Sequence, residues 1–287
     1  MSESKNHHYV PQWLMKSWAD ENDRVICVNR QNPPTIKNFV THVRNVNSQN
    51  RLYTLEAEDG KKHDKLETGI YGPLDVAAKN LTDQLCQILD SRQIPEMDFE
   101  SRKLLWQFFY YNAFKRLPGS FDEYLKKLDY EEIREKTIQS ALEDGEDEED
   151  IRRITKSFDV KALVEQRGIQ YVRAEQNDDV LNIFANFGII FAIAVEGASF
   201  ILPDRSIVIQ RANLQEPPKE HWIPIHPKYA FRGITPSTEI TLVQMNKRAV
   251  RRLNENWYTN ANMVISTSKR QAMSLVKRHD RQRIELH

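Results

Sequence analysis

Cysteine is almost missing from this 287-residue chain: Cys27 and Cys86 are the only two, and they form no CxxC pair. A disulfide framework and a cysteine-rich zinc site are therefore excluded as the basis of the fold. Glycine is sparse too, at nine residues, and neither GxxxxGK[ST] nor GxGxxG after a strand occurs. Phosphate-loop nucleotide hydrolysis and a dinucleotide site lack support, so no nucleotide cofactor is expected. HExxH and GxSxG are absent, which sets aside zincin proteases and ordinary α/β hydrolases. The longest strongly apolar stretch, residues 187–195, falls far short of the roughly 20 residues that cross a bilayer, and residues 1–30 hold no apolar signal-peptide core. The expectation is a cytoplasmic protein with no membrane partner. A charge of one sign is also lacking, since 41 Lys+Arg meet 41 Asp+Glu before eight His are counted. The total gives no electrostatic reason to expect nucleic acid or acidic lipid.

What is present suits a soluble globular protein: 40% hydrophobic and 9% aromatic residues, with a mean hydropathy of -0.65. The chain reads as one composite α+β domain over residues 1–287 in three parts, with short terminal strands in a small mixed or antiparallel sheet packed against central helices. Residues 1–72 form a mixed module. Pro11 holds Val10 extended, Trp13, Leu14 and Trp18 are spaced for a short helix, and Val25, Ile26 and Val28 read as a strand closed by Asn32-Pro33-Pro34. Residues 36–43 and 51–55 read as further strands.

Residues 73–188 turn helical. Leu74, Ala77, Ala78, Leu81, Leu85, Ile88 and Leu89 share a face until Pro95, and a second helix runs from an Asp98 cap to Leu117-Pro118-Gly119. Residues 143–150 carry seven acids in eight positions, a pattern expected to be solvated and mobile unless it holds a metal or a partner. Residues 189–287 follow a helix over 178–187. They suggest a hairpin of strands 189–195 and 199–202 around Glu196-Gly197, strands at 207–209, 222–225 and 240–243, and helices over 246–256 and 269–283.

Histidines and carboxylates are the candidates for chemistry. His7 and His8 are adjacent, so in an extended segment only one enters a given site. Either could act as a general base or single metal ligand, or simply bond the fold of its own terminus. Glu67 and Asp75, in an acid-rich stretch with His63, supply the oxygen ligands that Mg²⁺ or Mn²⁺ prefers, although Asp75 also suits the first turn of a helix. Asp204 closes the strand Phe200-Ile201-Leu202, where either a functional or a turn-forming Asp is at home. Restriction-type nucleases place an acidic-x-Lys strand after such an Asp, but Glu216-Pro217-Pro218-Lys219 has the wrong spacing and two prolines. His226, between Ile225 and Pro227, reads as a core histidine or a site residue. Lys247, Arg248, Arg251 and Arg252 precede Trp257 and Tyr258, and Lys269, Arg270, Lys277, Arg278, Arg281 and Arg283 follow. Cations near aromatics can meet phosphates and stack on bases, or be a solvated helix face.

Several segments together resemble the bacterial family called domain of unknown function 4238. Asn6-His7-His8-Tyr9-Val10-Pro11-Gln12 resembles its opening motif and Asn50-Arg51-Leu52-Tyr53 its "N-x-x-Y" element. Glu67 with Asp75 is similar to its spaced acidic pair, and Arg116-Leu117-Pro118 to its "R-x-P". Residues 200–206 resemble its "F-I-x-S-D-x-P" strand end, residues 222–227 its "F-P-L-S-P" strand, and Leu253-Asn254 a late "L-N". Pro203, Ser206, His226 and Asp75 depart from the family's Ser, Pro, Ser and Glu. The resemblance implies a fold grouping in which polar elements far apart in sequence converge, and it brings no reaction.

The resulting expectation is a metal-dependent phosphodiester hydrolase acting on nucleic acid, as a toxin or anti-phage effector. Glu67, Asp75 and Asp204 would hold Mg²⁺ or Mn²⁺, His7 or His8 would move a proton, and Arg116 would stabilise charge. The rival expectation is a protein-interaction module in which the same motifs are structural.

Overall fold

A computed structural model describes residues 6–30, 40–56, 62–157, 159–205, 222–234 and 237–280. In chain order the elements begin with β1 (Asn6–His8), α1 (Gln12–Lys16), β2 (Arg24–Asn29), β3 (Val40–His42), β4 (Ser48–Asn50), β5 (Leu55–Glu56) and β6 (Lys62–His63). The helical part comprises α2 (Gly72–Asp90), α3 (Phe99–Trp106), α4 (Ala113–Arg116), α5 (Asp122–Leu125), α6 (Tyr130–Glu143), α7 (Glu148–Ser157), α8 (Val160–Leu163), α9 (Ile169–Ala174) and α10 (Asp178–Ala185). It closes with β7 (Gly188–Ala194), β8 (Leu202–Pro203), β9 (Ile223–His226), β10 (Tyr229–Ile234), β11 (Ile240–Met245), α11 (Lys247–Asn260), β12 (Met263–Ser266) and α12 (Lys269–His279). The fold is α+β, with mixed and antiparallel sheets packed against the central helices.

The expected helices form where apolar spacing and caps agree. Leu74, Ala78, Leu85 and Leu89 bury one face of α2. That helix stops at Asp90, five residues before Pro95, because Arg92 turns the chain with a φ of 57°. Asp98 caps α3 by accepting the Ser101 N–H, and a wide π turn over Gln107–Asn112 links α3 to α4 in one continuous run. Its aromatic face meets the sheet: Trp106, 2% exposed, touches Tyr110, Phe184, Phe187 and Phe231. The acidic residues 143–150 are exposed, and Asp147 caps α7 by accepting the N–H groups of Glu149 and Asp150.

The expected hairpin over residues 189–202 does not form. β7 is an inner strand of the order β11-β7-β10-β9, antiparallel to β10 and parallel to β11, while β8 pairs with β12 in the order β3-β2-β12-β8. Gly197 does turn the chain, with a φ of 74°. The next strand then crosses to the second sheet, because β7 is apolar on both faces and already has a partner on each edge. Gly188 admits β7 to that position, since a Cβ there would lie 2.8 Å from the Glu239 carbonyl.

Residues 51–53 are a turn, with Arg51 at a φ of 54°, and only Leu55–Glu56 is strand. The expected turn at residues 32–34, the start of the strand over 36–43, the strand at 207–209 and the end of the helix over 269–283, with Arg281 and Arg283, lie outside the described residues. One buried cluster takes Leu14 and Val25 from the first part, Leu85 and Trp106 from the helices, and Phe191, Phe231 and Ile265 from the last. Trp106→Ala is expected to destabilise the protein by about 3–5 kcal/mol. Urea unfolding measures it, and a loss under about 1 kcal/mol would contradict the central place of this ring in the core.

Candidate functional site

Alternation along β1 decides the fate of the two histidines. Paired with β4 through His7↔Gln49 and His8↔Ser48, the strand turns His7 inward to 1% exposure and leaves His8 half-buried. His7 Nδ1 accepts the Tyr53 backbone N–H at 2.9 Å, which puts the proton of the neutral ring on Nε2, 3.4 Å from Asp64 Oδ1. The imidazole also stacks on Tyr53, with ring centres 5.3 Å apart. His8 donates from Nε2 to the Arg44 carbonyl at 3.1 Å, and burial holds its pKa below the usual histidine value.

Tyr53 connects this pair to Arg116. Its hydroxyl donates to the Arg116 carbonyl at 3.0 Å. The Arg116 guanidinium lies 4.3 Å from the Tyr71 ring centre, donates from Nη2 to the Tyr71 carbonyl, and places Nη1 2.7 Å from Asp75 Oδ1. Asp75 stands in the first turn of α2, with Glu67 one helical stretch before it. Burial pushes both carboxyls above their usual values, and the Arg116 charge opposes the shift. Arg116 itself is 2% exposed; burial would lower its pKa, but Asp75 and Glu67 beside it raise it, so the guanidinium stays charged. Arg173 completes the network by donating to the Leu52 and Lys115 carbonyls.

Asp204 is tied down separately. Its N–H donates to the Met263 carbonyl, and Oδ1 accepts the Asn262 N–H at 3.0 Å. Upstream, Asn254 accepts the Ile201 N–H and donates to the Ser199 carbonyl, while the Trp18 indole donates to the Phe200 carbonyl. Burial raises the Asp204 pKa although backbone N–H groups of Met263, Asn262 and Arg205 pull it down. Asp204 shares a cleft of about 290 Å³ with Tyr9, Ser48, Gln49, Pro118 and Asn262. Pro224 lines a smaller adjoining cavity with Tyr9, Arg116 and Asp204. Segments as far apart in the chain as Tyr9 and Asn262 thus meet in one region.

That meeting is not a metal centre. Among the described residues no group of three His, Cys, Asp or Glu side chains is placed to hold a metal ion. The expected Mg²⁺ or Mn²⁺ site of Glu67, Asp75 and Asp204 is therefore withdrawn. The donors are divided: Asp75 and Glu67 face Arg116 inside the fold, whereas Asp204 accepts backbone N–H groups beside β12. Sequence reasoning placed Asp64 only in an acid-rich stretch, and it gave no sign of Arg173, whose partners are backbone carbonyls.

The basic residues gather elsewhere. Lys247, Arg251, Arg270 and Arg278 line a cleft of about 430 Å³ between α11 and α12, with Ser199, Ser268 and Gln271 along it. Arg248, Arg252 and Lys269 are exposed on the same helices. The flanking aromatics do not face this cleft. Trp257 is 3% exposed and donates to the Trp222 carbonyl, and the fully buried Tyr258 donates to Asp280, so the expected stacking surface is absent from these two rings. His226 is half-buried, accepts the Lys228 N–H and stacks on Tyr229.

Fold and site together define an α+β protein organised on a buried histidine, tyrosine, arginine and carboxylate network, with a separate basic cleft. The chain belongs to the family described as protein of unknown function (DUF4238), which matches residues 6–273. Neither the curated proteins nor the solved structures compared with it include a match. Among the described residues no helix is long and apolar enough to cross a membrane.

The raised carboxyl of Glu67 sets a pH dependence. A carboxyl whose folded pKa exceeds its unfolded value, here 4.5, contributes stability that is present below that value and is lost as pH rises through the folded pKa. Glu67→Gln is expected to raise the thermal midpoint at pH 7 and to leave it unchanged at about pH 4, where the wild-type group is already largely protonated. A lower midpoint for the variant at pH 7 would mean that attraction to Arg116 outweighs the cost of burial.

Proposed function

We propose that the protein binds nucleic acid by holding phosphate groups at the α11–α12 face. The observation that supports this most is the convergence of Lys247, Arg251, Arg270 and Arg278 from two helices onto one cleft, with Arg248, Arg252 and Lys269 exposed beside it. Fields are screened within about 8 Å at physiological ionic strength, so this local surplus governs an approaching phosphate more than the neutral total does. The burial of Trp257 and Tyr258 favours phosphate contacts over base stacking, and hence little dependence on sequence. A cytoplasmic site of action is part of this reading, and it is compatible with Cys27 and Cys86 forming no disulfide among the described residues.

Binding of a fluorescent single-stranded RNA and of duplex DNA, followed by anisotropy between about 50 and 200 mM salt, tests the proposal. The triple variant Lys247→Glu, Arg251→Glu, Arg270→Glu is expected to bind at least about tenfold more weakly, with the salt slope reduced by about one unit per lost contact. Equal binding by wild type and variant would remove the face from consideration.

Phosphodiester cleavage is a second reading, favoured by one observation: the buried Asp204 carboxyl lines the Tyr9 cleft, where burial shifts it toward the protonated form that can serve a leaving oxygen. A toxin or anti-phage role is proposed only through such cleavage. Asp204→Asn keeps an acceptor for the Asn262 N–H, whereas Asp204→Ala leaves that group unsatisfied at a cost of about 1–3 kcal/mol. The Asn variant is accordingly expected to stay folded and to lose cleavage of RNA measured in a chelator. Retained cleavage, or none in the wild type, ends this second reading and leaves Asp204 with its structural role.

A further inference from the structure

We propose that the α11–α12 cleft takes a terminal phosphomonoester of a nucleic-acid strand in preference to its internal phosphodiesters, an assignment that rests on the phosphate-binding reading above. Lys247 and Arg251 are four residues apart and so share one face of α11, while Arg270 approaches from the first turn of α12. Arg278 is paired with Glu255 on the opposite helix. The other three cations of the lining have no ion-pair partner among the described residues, and they surround a concave volume of about 430 Å³. A convex row of cations tracks a backbone; a concave group of three suits a compact anion that enters end-on.

The neutral groups of the cleft agree with that anion. Ser268 Oγ accepts the Gln271 N–H as the cap of α12, which leaves its own proton to donate. The Ser274 hydroxyl is exposed in the same lining. Behind them Gln271 donates to the Ser199 carbonyl and receives the Ser266 hydroxyl, so its side chain is fixed before any ligand arrives. An internal diester offers one negative charge and two unesterified oxygens. A terminal monoester offers about 1.5 to 2 charges and three acceptor oxygens, which matches three uncompensated cations with hydroxyl donors between them. Neither Trp257 nor Tyr258 reaches the cleft to hold the base, so the phosphate is the part recognised.

Single-stranded RNA probes of about 12 nucleotides with a 5′-phosphate, a 3′-phosphate or hydroxyls at both ends separate the possibilities by anisotropy. At least one phosphorylated probe is expected to bind about tenfold more tightly than the hydroxyl-ended one, and Arg251→Ala with Arg270→Ala should abolish that advantage while weak binding through Arg248, Arg252 and Lys269 persists. Both substitutions are at exposed positions, and an unchanged thermal midpoint verifies that the variant is folded. Equal affinity for all three probes overturns the inference and leaves the phosphate-binding reading standing. Binding of none of them removes both. Competition by a free nucleoside 5′-monophosphate, or by inorganic phosphate, at the concentration at which the phosphorylated strand competes would identify a small phosphate ligand and overturn the assignment to a strand end.

Discussion

A guanidinium removed from water needs an opposite charge and acceptors close by, and Arg116 imposes that requirement on the middle of this protein. Asp75 supplies the opposite charge, Tyr71 a ring face and a carbonyl, and Glu67 a second carboxyl within electrostatic reach. An unanswered charge at such a site costs several kcal/mol, so each partner is held to its position by the others. Tyr53 extends the constraint to the N-terminus: its hydroxyl bonds the Arg116 carbonyl while its backbone N–H bonds His7. The opening segment of the chain is thereby fixed to the end of the α3–α4 run. The order of β1, the α2 start and the Pro118 turn follows from one buried charge and its neighbours.

The same constraint explains why the expected metal centre fails. Oxygen ligands can gather round a divalent cation only if no resident cation competes for them. Here Arg116 pairs with Asp75 and lies within electrostatic reach of Glu67, and one positive group already offsets part of their charge. Asp204, which the sequence placed with them, is drawn to backbone N–H groups across β8 and β12. It therefore serves the joint between strands, and it lines the cleft beside Tyr9.

What the sequence revealed depended on how local the cause was. The periodicity of α2 and the Asp98 and Pro118 boundaries of the α3–α4 run act within a few residues, and those helices are where the pattern puts them. The alternation that separates His7 from His8 is equally local. The hairpin expected at Gly197 was not, because its turn is real but its pairing is decided by β10 and β11, whose strands arise much later in the chain. Arg173 was invisible for the same reason: it answers carbonyls exposed by a turn at Leu52, and backbone groups leave no mark on residue patterns. The basic residues of α11 and α12 were plain as a composition, but their shared cleft required the packing of two helices round Asn254 and Gln271.

Burial then sorts the charges into two kinds with different physics. His7 and Arg116 are buried and the acids beside them half-buried, where field lines are weakly screened, so they are costly to alter and poorly placed to meet a large ligand. The cations of α11 and α12 are outside and incompletely matched, so they contribute little to folding and remain available to a partner. The two sets are linked mechanically. Asn254 projects from α11 to clamp the strand that ends at Asp204, and Gln271 projects from α12 to the same Ser199 carbonyl. The floor of the basic cleft is therefore one surface of the peptide segment whose far end anchors the family motif. An exact balance of 41 against 41 charges is the sum of an inward set that fixes this scaffold, an acidic exposed stretch at residues 143–150, and a cationic face that the scaffold holds open to solvent.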